Sequence, residues 1–187
     1  MVSTKTKLTL TEFLALPEGD ITYELVDGEA IPKMSPKRFH SGLTISLCQL
    51  LIQWCQKRGE VGVEWAITLK RRGKDWVPIP DLLYISYQLL PLERLLDEAC
   101  PVAPELVIEI ISPEQSFGEL SEKATDYLNA GVLRVWLVDA KSRSITIFYP
   151  DAPPQTKRGE ASLADPLFEG LELTVAMVFQ HAGIPET

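Results

Sequence analysis

The stretch PELVIEIISPEQSFGELSEKATDYLNAGVLRVWLVD, residues 104–139, decides the fold. Its first part, Glu105 to Ser112, is a nearly continuous apolar run of strand length, which predicts a central strand covered on both faces. Pro113 ends that strand. From about Phe117 to Asn129, the residues Leu120, Ala124, Tyr127 and Leu128 recur at helical spacing, and Gly131 stands just beyond the helix they predict. Val132 to Val138 is a second apolar strand. Strand, helix and strand in this order imply a parallel pair joined by a right-handed crossover, so the fold class is mixed α/β.

Working toward the N-terminus, the turn Arg71-Arg72-Gly73-Lys74-Asp75 separates an alternating strand from Val61 to Lys70 from a return strand over about Ile79 to Ser86. Residues 87–103 read as a connection with one helical turn, Leu92 to Glu98. Upstream, Leu43, Leu47, Leu50, Leu51 and Trp54 mark the longest helix, beginning beyond Pro36 and stopped by Gly59. Asp27-Gly28 joins the runs Ile21 to Val26 and Glu29 to Met34 as a tight hairpin, because both positions tolerate positive φ. Thr11 is a plausible cap for a short helix through Leu16. Toward the C-terminus, Ser144 to Tyr149 is a further strand. The tail then offers a weak strand near Ala161 and a short apolar helix from Thr174 to Phe179, read as a cap over one sheet edge. The expected organisation is a single domain over 1–187, with its core at about 20–150 and a C-terminal cap at 151–187.

The chain has 187 residues, of which 45% are hydrophobic and 24% charged. Area scaling for its 20.9 kDa gives a folded surface of roughly 9,000 Å² against about 30,000 Å² unfolded, enough for a real core. The N-terminal stretch interrupts its apolar residues with Thr9, Thr11 and Glu12, which builds no signal-peptide core. No apolar run is long enough to span a membrane, so a cytoplasmic address is expected. Cys48, Cys55 and Cys100 form no C-x-x-C pair and read as buried, idle thiols. Eighteen Lys and Arg against 26 Asp and Glu leave a net charge of −8, which disfavours diffuse attachment to nucleic acid or anionic lipid. A phosphate-bearing partner must be held locally. No phosphate-loop or dinucleotide-binding glycine pattern occurs, and two histidines, His40 and His181, exclude imidazole-rich metal centres.

Two acids stand where acids are costly. Asp81 lies inside the apolar stretch VPIPDLLYIS, and Glu109 interrupts LVIEII at its centre. A buried carboxylate needs a partner, because removing it from water costs several kcal/mol or more. On neighbouring strands, two carboxylates about 4 Å apart repel by roughly 1 kcal/mol in water and about 4 kcal/mol at an effective dielectric of 20. A divalent cation removes that repulsion, and hard oxygen ligands on rigid strands suit Mg²⁺. Lys123 lies about 60° from Leu120 and about 40° from Tyr127 around the helix. Its stem can therefore cross the sheet and bring the ammonium to Glu109. By the same wheel, Glu119, Glu122 and Asp126 point to solvent. Glu24 sits on the hairpin and can face the acidic pair or form a cross-strand ion pair, and His40 opens the long helix within reach of a phosphate. Lys70, Arg71, Arg72 and Lys74 form the densest basic cluster, a place for a DNA backbone or an ordinary solvated turn.

The succession YELVDGE (23–29), MSP (34–36), PDLLYIS (80–86), PELVIEIISP (104–113), EKATDYLNAGV (122–132) and VWLVD (135–139) resembles the Uma-type family of restriction endonucleases. That family lies within the PD-(D/E)XK nuclease superfamily, and the match spans about residues 11–180. The resemblance implies a restriction-endonuclease-like core, a mixed sheet flanked by helices. It further implies a metal site at Asp81 and Glu109, assisted by the backbone carbonyl of Ile110, with Lys123 as the catalytic lysine. The superfamily's lysine two residues after the second acid is Ile111 here, and the family's histidine-glycine pair reads His40-Ser41. The expected function is a Mg²⁺-dependent DNA endonuclease, with Mn²⁺ as a substitute ion, acting as a homodimer. The alternative is a catalytically inactive nuclease-fold binding or scaffold module.

Overall fold

Leu106–Ile110 is buried at every position, as the apolar run requires, and the chain is organised around it. The structure is a computed structural model and describes residues 7–17, 19–33, 35–94 and 96–185. In chain order these residues form α1 (Leu10–Leu14), β1 (Tyr23–Val26), β2 (Glu29–Pro32), α2 (Arg38–Cys55), β3 (Gly59–Val63), β4 (Leu69–Arg71), β5 (Lys74–Trp76), β6 (Leu82–Ser86) and β7 (Leu106–Ile110). Then follow α3 (Phe117–Asn129), β8 (Arg134–Asp139), β9 (Ser144–Phe148), β10 (Gln155–Arg158) and α4 (Val175–His181). Six strands make one mixed sheet in the order β10-β9-β8-β7-β6-β3. Its pairs are antiparallel except β7 with β8, which are parallel and joined through α3.

Side chains alternate across a strand, so β7 feeds two cores at once. Leu106, Ile108 and Ile110 pack with Leu43, Leu47 and Leu51 of α2 and Val178 and Phe179 of α4. Val107 faces the other way, onto Leu120, Ala124 and Tyr127 of α3. Glu109 shares the face of Val107 and is thereby aimed at α3. That helix spans the expected residues because Ser116 and Glu119 close a capping box at its start.

Several boundaries differ from the expectation, each for a local reason. Thr9, not Thr11, caps α1, accepting from the Glu12 amide while the Glu12 carboxylate returns to the Thr9 backbone. The strand expected over residues 61–70 is two strands. The chain turns at Glu64 (φ 50°) after β3, and Ile67 bridges Cys100 instead of continuing beside β6. β4 then pairs with β5 around a two-residue turn, Arg72 (φ 51°) and Gly73 (φ 80°). Asp81 stands just before β6 rather than inside a strand, since Pro78 and Pro80 have no amide hydrogen for a ladder. The helical turn expected over 92–98 is a single 3₁₀ turn, Leu92–Arg94. Leu95, like Met34 at the end of the expected hairpin, lies outside the described residues, as do residues 1–6. The tail's strand is β10, upstream of Ala161, and its helix α4 lies against α2 in the main core. The tail therefore completes the sheet as well as covering it. Among the described residues, no helix is long and apolar enough to cross a membrane.

Gly59 proves to be a strand residue rather than the helix stop. α2 ends at Cys55, and a side chain at Gly59 would place its Cβ 2.3 Å from the Ile85 carbonyl oxygen across the β3–β6 ladder. Gly59→Ala is accordingly expected to destabilise the protein by about 1–3 kcal/mol in urea unfolding, the usual cost of overpacking. A change within the noise of the titration would mean that β3 does not approach β6 this closely.

Candidate active site

Glu109, at the fourth position of β7, is 4% exposed. Its Oε1 accepts from the Tyr127 hydroxyl at 2.8 Å and faces Lys123 Nζ at 3.0 Å. Both partners come from α3, one turn apart, so a single helical face supplies a cation and a neutral donor. Lys123 Nζ also donates to Glu24 Oε1 at 2.8 Å, and that same oxygen accepts from the Ile79 amide at 2.9 Å. The β1–β2 hairpin thus delivers Glu24 to the far side of the lysine, so Glu24 pairs with Lys123 rather than across its own strands.

Asp81 is held from three directions. Its Oδ2 accepts from the Ile110 amide at 2.7 Å and lies 3.0 Å from His40 Nε2, on the first turn of α2. Its Oδ1 pairs with Lys33 Nζ at 2.9 Å, and Lys33 reaches Glu64 Oε1 at 3.2 Å. Because Ile110 directly follows Glu109, the bond from its amide ties Asp81 to the strand carrying the second acid. The structure therefore brings together Asp81, Glu109, Lys123, Glu24 and His40. It adds Lys33, which the sequence reading did not name, and Tyr127, which it placed only in the apolar stripe of its helix.

The two acids are driven in opposite directions. Burial, with the nearby charges of Asp81 and Glu24, raises Glu109 to about 7 against the pull of Lys123. Burial also acts upward on Asp81, but the His40 hydrogen bond, the Lys33 charge and the Ile110 amide outweigh it and hold Asp81 down at about 2. Burial works against the charged form of both lysines. Lys33 is nevertheless raised by Asp81, and Lys123 by Glu109 and Glu24, so both stay protonated. Burial and the Glu109 charge lift Tyr127 well above its ordinary range, which keeps its hydroxyl a donor. Acids pushed apart in this way within one site are a common mark of catalytic groups. Among the described residues, no group of three or more His, Cys, Asp or Glu is arranged to hold a metal ion. Asp81 and Glu109 supply two hard carboxylates, a donor set that suits Mg²⁺ when water fills the remaining positions.

Of the basic turn, Arg71 is tied into the fold, whereas Lys70, Arg72 and Lys74 stay largely exposed. Arg71 Nε bonds Asp126 Oδ2 at 2.7 Å, Arg72 reaches the same carboxylate, Lys70 pairs with Asp75 and Lys74 with Asp27. Asp126 is consequently buried, not solvent-facing as the helical wheel suggested. The three thiols are uncrosslinked, and burial pushes each one up.

A mixed sheet between helices, with one acid in its buried strand and a second acid tied to that strand, matches the expected restriction-endonuclease-like core. The chain belongs to the family described as "Uma2: Putative restriction endonuclease", which matches residues 10–176. Its fold is similar to that of a crystal structure titled as a putative nuclease belonging to DUF820 from Anabaena variabilis ATCC 29413. The TM-score is 0.82 at 24% identity, over 94% of this chain and 99% of that one. Comparison with the curated proteins found no match.

A carboxyl raised by folding binds its proton more tightly in the native state, so its contribution to stability falls as pH rises from 4.5 toward about 7. In metal-free buffer, the stability of Glu109→Gln relative to wild type is expected to increase across that interval, read as the difference in urea midpoints. A constant difference would place Glu109 at an ordinary carboxylate value. Arg71→Ala leaves buried Asp126 paired with the exposed Arg72 at 3.7 Å, and a loss of about 3 kcal/mol is expected, the low end for breaking a buried pair. Lys74→Ala, which breaks an exposed pair, is expected to change stability by less than about 0.5 kcal/mol.

Proposed function

We propose that this chain, acting as one domain, is a Mg²⁺-dependent endonuclease that hydrolyses phosphodiester bonds in DNA. The observation that carries the reading is that residues remote in sequence converge: Asp81 accepts from the amide of Ile110, next to Glu109, and Glu109 faces Lys123. Family membership supports nuclease chemistry, and the metal dependence and the DNA substrate extend it. Asp81 and Glu109 would hold the ion, Mg²⁺ or in its place Mn²⁺. When bound, the ion makes a coordinated water more acidic and neutralises charge on the phosphoryl oxygens.

The chain's own groups do the positioning. Glu24 and Glu109 fix the Lys123 ammonium, which orients the attacking water or stabilises the equatorial oxygens. Tyr127 holds Glu109 in one orientation, and His40 and Lys33 do the same for Asp81. We place the protein in the cytoplasm as a homodimer, since two symmetry-related sites suit the cleavage of two strands.

Plasmid nicking with Mg²⁺ tests this directly. Asp81→Ala and Lys123→Ala are each expected to lose about 100-fold or more of the wild-type rate, on the scale of removing one preorganised charge-stabilising group. Equal nicking by wild type and Asp81→Ala would sink the assignment. One observation favours a second reading, an inactive scaffold: both acids are already neutralised by lysines. Isothermal titration separates the two, because the enzyme reading expects a Mg²⁺ site lost in Glu109→Ala and the scaffold reading expects none.

A further inference from the structure

A second concavity opens where the parallel strands β7 and β8 end. This cleft of about 680 Å³ is lined by Phe39 from the first turn of α2, Phe117 from the first turn of α3, and Ile111 just beyond β7. Lys37, Arg38 and Lys141 share its lining. Phe39 and Phe117 are 47% and 48% exposed and belong to neither of the two sheet-face cores, so half of each is left in water. Large aromatic residues left in water beside cations invite a ligand with flat apolar faces and negative charge.

The local charge contradicts that of the chain. The whole protein carries −8, yet three basic side chains line this cleft. Its one acidic lining residue, Asp139, is engaged in its own turn, accepting from the Lys141 and Ser142 amides and the Ser142 hydroxyl. The Lys37–Glu114 pair is exposed on both sides, and such pairs are weak enough to exchange for a phosphate. The cleft also adjoins the acidic site. His40 lines it while its Nε2 lies 3.0 Å from Asp81 Oδ2.

We propose that this cleft binds an unstacked base of single-stranded or locally melted nucleic acid, with Phe39 and Phe117 as the stacking faces and Lys37, Arg38 and Lys141 on the flanking phosphates. A duplex keeps its base faces against one another and cannot present them to a ring, whereas a single strand can. The proposal rests on the phosphodiester-hydrolase reading and refines its substrate to a strand with an accessible base beside the phosphate that faces Asp81.

The test is binding in EDTA, where no cleavage intervenes, by fluorescence anisotropy of a labelled oligothymidylate of about ten nucleotides, an abasic strand of the same length and a duplex. Wild type is expected to bind oligothymidylate on the order of ten-fold more tightly than the abasic strand, and more tightly than the duplex. Phe39→Ala combined with Phe117→Ala is expected to abolish the preference in a protein that still unfolds in one cooperative transition, at a lowered melting temperature because each residue is half-buried. Lys37→Ala combined with Lys141→Ala is expected to weaken both single strands alike and to flatten the salt dependence. Equal wild-type affinity for the two single strands, no strand binding at all, or a preference surviving loss of both rings overturns the proposal. So does a phenylalanine variant that alters oligomeric state but not strand binding, which would make the cleft a protein interface. Nicking that depends on Asp81 without a base preference defeats this inference alone, and a base preference without nicking defeats the catalytic reading alone.

Discussion

Glu109 sits in a strand with no exposed position, and its carboxylate is tolerable there because α3 presents Lys123 and Tyr127 to it on one face. Stripping a lone carboxylate of water costs several kcal/mol, so the helix must arrive in the correct rotation. The capping box at Ser116 and Glu119 fixes where α3 begins, and with it the direction in which residue 123 points. A start displaced by one residue would turn Lys123 through about 100°, away from the acid. The parallel β7–β8 pair, the crossover helix and the ion pair are therefore one constraint seen from three sides.

What was legible in the sequence follows from how local each signal is. The β7–α3–β8 unit could be read because each part carries a local signal: continuous apolar runs for two strands covered on both faces, and one helical period between them. The Asp27-Gly28 turn was legible for a similar reason, its backbone demand being met by two adjacent residues. The stretch from residue 61 to 70 misled because apolar alternation continues while the strand does not: Val61 and Leu69 serve different cores, and the left-handed Glu64 separates them. Gly59 misled because a glycine just after a helix looks like a stop, although here it makes room for the neighbouring strand.

Within the site, Asp81 and Glu109 were found by asking which charges stand where charges are expensive, and Lys123 by its place at the edge of the apolar stripe of its helix. That question, applied to Asp81, also called for a counterion of its own, and Lys33 is that ion. Lys33 left no pattern because it lies one residue past a short hairpin strand, where a lysine is unremarkable, and the contact spans 48 positions, 81 − 33. Tyr127 was read as core, which it is, but its hydroxyl extends beyond the apolar stripe to the acid. Asp126 was misassigned by the helical wheel, since Arg71 approaches from a ribbon whose position no periodicity could reveal.

The pairing of each central acid with a tethered ammonium has a consequence for how the folded chain persists. Small zinc proteins exist as ordered molecules only when loaded, because nothing else compensates their ligands. Here Lys33 and Lys123 act as resident counterions, so the architecture can assemble and survive in ion-free surroundings. A dissolved cation entering this place would exchange with side chains already there rather than fill a void. Its concentration would then set occupancy without deciding whether the molecule holds together.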